Sequence, residues 1–185
     1  MEKVELVLVA LTESISYSGQ YALVFEDLEM KKRLSITIGS SEAQSIAMAL
    51  EKVKPERPQT HDLYVNTLRR LEASLNEVII TVVEKNVFEA QLFILHKNET
   101  IKVDSRASDA VALSIRFESP IFIDRNILDD FAFDIKEGSL PRFGEPSLES
   151  LQLKELEQML EKVIKNEDYE GATRIRNAIN QKKNQ

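Results

Sequence analysis

The segments Ile36-Thr37-Ile38-Gly39-Ser40-Ser41-Glu42-Ala43 and Val103-Asp104-Ser105-Arg106-Ala107-Ser108-Asp109-Ala110 are one pattern written twice, about 67 positions apart. In each, an extended apolar stretch meets a short turn, and Ser-acid-Ala then opens an apolar helical run. Ser41 and Glu42 of the first copy thus correspond to Ser108 and Asp109 of the second. Two acids at equivalent helix starts have two readings. Either they form one composite site, or each steadies the free amides of a helical first turn, an effect worth ~0.3–1 kcal/mol.

Two further strand-like stretches precede each copy. Runs from Val4 to Leu11 and from Gln20 to Phe25 lead, through a charged turn, to the strand from Leu34 to Ile38. Runs from Glu77 to Val83 and from Phe88 to Leu95 lead, through a polar turn at His96, to the strand from Thr100 to Val103. Helices are predicted from Ser41 to about Val53 and from Ser108 to about Phe117. Ala43, Ile46, Ala47, Leu50 and Val53 share one stripe, and Ala110, Leu113 and Phe117 make its counterpart. Three strands and a helix, twice over, predict an α+β fold in which a duplicated unit forms a mixed sheet with packed helices. Between the copies Pro55 and Pro58 make a stiff turn, and Thr60 is the expected N-cap of a helix through Leu71. After the second copy, Pro120 to Ile123 reads as a short strand and Asn126 to Phe131 as a helical turn.

Composition narrows the class. With 185 residues, 43% of them hydrophobic and 30% charged, the chain reads as a soluble globular protein. No apolar run approaches the ~18 residues of a membrane span, and Met1-Glu2-Lys3-Val4 lacks the features of a signal peptide. A cytoplasmic protein with no membrane partner is expected. The absence of cysteine excludes disulfides, thiol catalysis and thiolate zinc sites. The net charge of −7 falls within residues 1–137, whereas residues 138–185 balance 8 basic against 8 acidic groups. An acidic domain is a poor non-specific binder of nucleic acid, so such binding would run through a local basic patch or a bound metal.

The stretch from Glu137 to Ser147 holds two of the five glycines and two of the five prolines, which marks a linker. The predicted organisation is a domain at 1–137, a linker at 138–150 and a helical hairpin at 151–185. Its helices run from Leu151 to Ile164 and from Tyr169 to Ile179, with Leu153, Leu156, Leu160, Val163 and Ile164 set against Ala172, Ile175 and Ile179. Two short helices alone bury little surface, so the hairpin should dock on something. Together with the strongly apolar strands, this predicts a homodimer.

Four ordered blocks carry a family likeness. IGSSEAQSIAMALE (38–51), RPQTHDL (57–63), FEAQLFIL (88–95) and VDSRASDAVALSIRFESPIFI (103–123) together resemble the bifunctional nuclease (BFN) domain, over roughly residues 3–135. Ala107 stands where that family usually has proline. LKELEQMLEKVIKNEDYEGATRIRNAI (153–179) resembles the UVR motif, a helical hairpin that mediates protein association. The first resemblance implies a divalent-metal-dependent nuclease acting on RNA and DNA, and the second implies a protein partner.

Metal-assisted phosphodiester cleavage needs carboxylates for Mg²⁺ or Mn²⁺, and it gains from a base and from cations that neutralise developing charge. The matched blocks contain all three. Glu42, Asp104 and Asp109 are the candidate metal ligands; His61, Asp62, Asp104, Arg106 and Asp109 are the candidate catalytic groups; Arg57, Arg116 and Ser108 are the candidate substrate contacts. Each has a structural counterpart reading. Glu42 and Asp109 suit a helical first turn, Asp104 could pair with Arg106, and Arg116 suits a helix C-terminus. His61 follows a candidate cap, and His96 reads as solvated. Ser41 and Ser108 read as N-caps, since no glycine-rich elbow accompanies them. The competing function is a non-enzymatic adaptor whose duplicated domain binds a partner or a small anion.

Overall fold

The computed structural model describes residues 2–14, 19–29, 31–83, 87–135, 152–165 and 169–183. The expected linker at 138–150 lies outside the described residues. The chain forms two compact units, Met1–Phe133 and Asp134–Gln185.

The duplicated pattern builds two antiparallel meanders. The first comprises β1 (Lys3–Glu13), β2 (Tyr21–Asp27) and β3 (Lys32–Ile38), and the second β4 (Ala73–Val83), β5 (Val87–His96) and β6 (Glu99–Arg106). The strand β7 (Ile121–Asp124) joins them, lying antiparallel to β1 and parallel to β4. With the two-residue β8 (Phe133–Asp134), the mixed sheet has the order β6-β5-β4-β7-β1-β2-β3-β8. Register explains the central place of β7. Ile121 lies opposite Leu6 and Val78, and Ile123 opposite Val4 and Ile80, so buried residues of both repeats form one continuous layer.

Each meander runs directly into a helix. These are α1 (Ser40–Leu50) and α3 (Ala107–Phe117), which pack on each other, while α2 (Thr60–Arg70) packs on α3 and β4. Ala43 and Ile46 of α1 and Ala110, Val111 and Ala112 of α3 are buried in the shared core. Small side chains let the two helix backbones approach closely, and that approach carries the two helix starts toward each other. The helix α4 (Arg125–Phe131) follows β7, capped by Asp124 Oδ1, which accepts the Asn126 N–H at 3.0 Å.

Several local expectations are corrected. Both repeat helices begin one residue early, so Gly39 and Arg106 are the N-caps, and Ser41 and Ser108 lie inside the first turn. The expected turn at 104–106 is strand instead: the β5–β6 ladder continues until Arg106 pairs with Glu89. Gln59, not Thr60, caps α2. The first helix stops at Leu50, short of Val53, which is exposed and has no core to meet; Lys52 there takes a left-handed φ of 54°. His96 is not a solvated turn residue. It ends β5, and its Nδ1 is buried without a hydrogen-bond partner among the described residues.

The second unit is a hairpin of α5 (Leu153–Lys165) and α6 (Tyr169–Lys183). Leu156, Val163, Ala172, Ile175, Ala178 and Ile179 form its own small core, with Met159 and Leu160 packed against it. Leu153 and Ile164, expected in that stripe, are exposed instead. Among the described residues, no helix is long and apolar enough to cross a membrane.

Candidate functional site

The contact of α1 with α3, with α2 lying against α3, produces one continuous polar network. Glu42 and Ser45 come from α1, His61 and Asp62 from α2, and Arg106, Asp109 and Arg116 from the end of β6 and from α3. Asp109 is the centre. Its Oδ2 accepts from Arg106 Nε at 2.8 Å, its Oδ1 accepts from Arg106 Nη2 at 3.1 Å, and the same Oδ1 lies 3.0 Å from His61 Nε2. Arg106 Nη1 reaches across to Glu42 Oε1 at 2.8 Å, which joins the matched acids of the two repeats through one guanidinium. His61 Nδ1 lies 2.9 Å from Ser45 Oγ.

A second arginine lies beneath this surface. Arg116 donates from Nε to Asp62 Oδ1 at 2.8 Å, from Nη1 to the Ala112 carbonyl at 3.0 Å, and from Nη2 to both Oγ and the carbonyl of Ser45 at 3.3 Å. Asp62 also accepts the Gln59 N–H at 3.0 Å, so it fixes the start of α2 and hence the position of its neighbour His61. Gly39 matters for a different reason. A Cβ there would lie 2.5 Å from Glu42 Oε2, so only glycine leaves the Glu42 carboxylate where it stands.

The network is strongly polarised. Burial raises the Asp109 carboxyl, but hydrogen bonds from Arg106 and His61 outweigh it and hold the group below its ordinary 3.8. For Asp62, burial is likewise outweighed, by Arg116 and the Gln59 amide. Arg106 is pushed upward by Asp109 first and then by Glu42. Asp109 is therefore a carboxylate at neutral pH. With a carboxylate facing Nε2, the neutral ring of His61 carries its proton on Nε2 and has its lone pair on Nδ1.

Two cavities flank the Arg106–Glu42 bridge, and both residues line both of them. One, of about 540 Å³, is lined by Ser41, Ser45, Gln59, His61 and Asp109. The other, of about 550 Å³, opens between β3 and β6, with Ser35, Thr37, Phe88, Asp104 and Ser108 on its walls.

This geometry sorts the sequence candidates. His61, Arg106, Asp109 and Glu42 converge. Asp104 does not join them: it stands on exposed β6 in the second cavity, and the carboxylates on Arg106 are Asp109 and Glu42. Ser108 lines that same second cavity. Asp62 and Arg116 pair with each other, and Arg116, only 11% exposed, is spent on internal partners. Arg57 is exposed beside Pro58, a lining residue of the first cavity. Ser45 escaped the sequence reading, although a signal existed. It stands three residues after Glu42 on the same helix face, and its repeat counterpart is the buried Ala112.

The acids are also the candidate metal ligands. A divalent ion needs several oxygen or nitrogen donors closing on one point. Among the described residues, no three His, Asp or Glu side chains do so, and the Arg106 guanidinium bridges Glu42 and Asp109. In this arrangement the set does not fit Mg²⁺ or Mn²⁺.

Because the folded Asp109 titrates below its ordinary value, its contribution to stability is complete above that value and is lost as pH falls through the lower folded one. Urea denaturation from about pH 7 to about pH 3 should therefore show a falling midpoint on the acid side. The Asp109→Asn variant should start less stable and fall less steeply. An acid limb of unchanged slope in the variant would contradict the assigned charge pair.

Comparison with known proteins agrees with the sequence likeness. Two uncharacterized proteins of Mycobacterium tuberculosis, from strains CDC 1551 and H37Rv, are each 37% identical to this chain over 110 residues, 60% of this chain. The match spans 65% of each relative's length, just under two thirds. The UvrB/uvrC motif matches residues 150–185, and the bifunctional nuclease domain matches residues 23–136. One match falls in each unit, and the chain belongs to the bifunctional nuclease domain family, with a UvrB/uvrC motif at its C-terminal end.

Proposed function

We propose that the N-terminal unit hydrolyses phosphodiester bonds of RNA or DNA, and that the C-terminal hairpin recruits a protein partner. The observation that carries the first part is His61, held by the Asp109 carboxylate at 3.0 Å beside the exposed guanidinium of Arg106, in a cavity of about 540 Å³. An imidazole whose Nε2–H is bound by a carboxylate is oriented to take a proton at Nδ1. Arg106 is the group that a phosphate would meet. Asp109 anchors its Nε and Nη2, so a phosphate oxygen can replace Glu42 at Nη1 without freeing the side chain. Arg57, exposed and next in sequence to the lining residue Pro58, is a further cation for the strand. The family membership supports the same reading.

Dependence on Mg²⁺ or Mn²⁺ is proposed on the family resemblance alone and would require Arg106 to release Glu42 and Asp109 first, so no step runs through a metal. Self-association is supported by the exposed edge strand β6, where Ile101 is 46% exposed. The exposed Leu153 and Ile164 supply an apolar contact on the hairpin.

Purified protein should cleave single-stranded RNA or DNA, and assays with Mg²⁺, with Mn²⁺ and with a chelator decide the metal question. His61→Ala should lower the rate by about 10²–10⁴-fold, the usual weight of a general base, and Asp109→Ala should lower it comparably. Cleavage that survives equally in both variants would sink the proposal. Light scattering should give a mass above the 21.1 kDa of one chain; the single-chain mass would remove the self-association part.

A further inference from the structure

Both nitrogens of His61 are occupied, and this limits what the imidazole can do. Asp109 takes the proton-bearing Nε2, so the Nδ1 lone pair faces one group, the Ser45 hydroxyl at 2.9 Å. A water activated directly by His61 would first have to displace Ser45. A serine inside a helix ordinarily points its Oγ to solvent or bonds it back to the carbonyl four residues earlier. Ser45 instead presents Oγ to an imidazole on another helix, while Arg116 Nη2 lies 3.3 Å from that oxygen. The residue is buried but lines the cavity that holds His61, Asp109 and Arg106. Hydroxyl, imidazole and carboxylate thus stand in sequence, with a guanidinium beside the oxygen that would carry negative charge. That is the logic of a nucleophilic triad, recognised by geometry and roles rather than by chain order.

We propose that Ser45 is the nucleophile of the N-terminal unit, activated by His61 and Asp109. The proposal rests on the phosphodiester-hydrolase reading and deepens it. Ser45 Oγ attacks phosphorus as its proton passes to His61 Nδ1. The bond from phosphorus to the leaving nucleoside oxygen, in line with the attack and on the far side of phosphorus, breaks, and that oxygen takes a proton from solvent water while His61 keeps the serine proton. The result is a phosphoseryl diester and one released strand end. Water then attacks phosphorus from that far side and loses a proton to solvent, the Ser45 oxygen leaves and recovers its proton from Nδ1, and the second strand end departs as a phosphate monoester. Water is the sole co-reactant. Arg116 holds the Ser45 oxygen in place, and Arg106 meets the non-bridging phosphate oxygens.

The test combines covalent labelling with cleavage. The full-length protein is treated with a fluorophosphonate probe and mapped by peptide mass spectrometry, alongside Ser45→Ala, Ser45→Cys and His61→Gln. Label at Ser45 in the wild type is expected, with a large loss in His61→Gln. RNA cleavage by Ser45→Ala should fall by at least about 10³-fold, and Ser45→Cys should take up the thiol reagent iodoacetamide at residue 45. If the wild type cleaves RNA, Ser45 stays unlabelled and Ser45→Ala cleaves within tenfold of wild type, the serine role is overturned while the nuclease reading stands. If Ser45 is labelled in a His61-dependent way but no nucleic acid is cleaved, the nucleophile stands and the nuclease reading falls. Label at Ser45 is read first on the unaltered protein, and the variants are compared with it only where their circular dichroism matches, so a folding defect does not blur the outcome.

Discussion

The Asp109 carboxylate is the interaction on which the site depends. It accepts two hydrogen bonds from Arg106 and one from His61, and through them it ties α3 to α2 and, by way of Glu42, to α1. Its burial raises its affinity for a proton, yet the two cationic or proton-bearing partners prevail and keep it ionised. The charge state then dictates everything downstream. An ionised Asp109 selects the Nε2–H form of His61, and that form turns the ring's basic nitrogen toward Ser45.

The fold brings this about by duplication followed by divergence. Two meanders share β7 as a common neighbour, and the helices that follow them meet through alanine-rich faces. The meeting sets Glu42 against Arg106 and Asp109, and there the symmetry stops. Ser45 corresponds to Ala112, and Arg116 corresponds to Ala49, so each repeat supplies polar groups where the other supplies packing. The serine and the second arginine of the network thus come from opposite repeats, and two identical copies of either repeat would lack one of them. The extra helix α2, which has no counterpart in the second repeat, adds the imidazole.

Much of this was legible in the residues. Apolar alternation located the six meander strands, and the three- and four-residue stripes located α1, α3, α5 and α6. Edges were less legible. Arg106 reads as a turn residue because polar residues crowd Asp104 to Arg106, but ladder hydrogen bonds to β5 hold that stretch as strand until the helix begins. The central position of β7 depends on pairing with strands more than forty residues away in one direction and more than a hundred in the other, which no local pattern records. Within the site, Glu42, His61, Arg106 and Asp109 were found by chemical type. Asp104 has the same chemical type, but type and spacing do not reveal that it faces the second cavity and not the one holding His61 and Asp109. Ser45 was passed over because a serine on a helix looks unremarkable until its partner on another helix is known.

The tautomer of His61 is the most direct measure of the account. Long-range proton–nitrogen correlation spectra of nitrogen-15-labelled protein at neutral pH distinguish a proton-bearing ring nitrogen from a basic one. The spectrum should show the ring proton on Nε2 and a basic Nδ1. A proton on Nδ1, or on both nitrogens, would contradict the account, because Ser45 would then be accepting a hydrogen bond instead of giving up a proton.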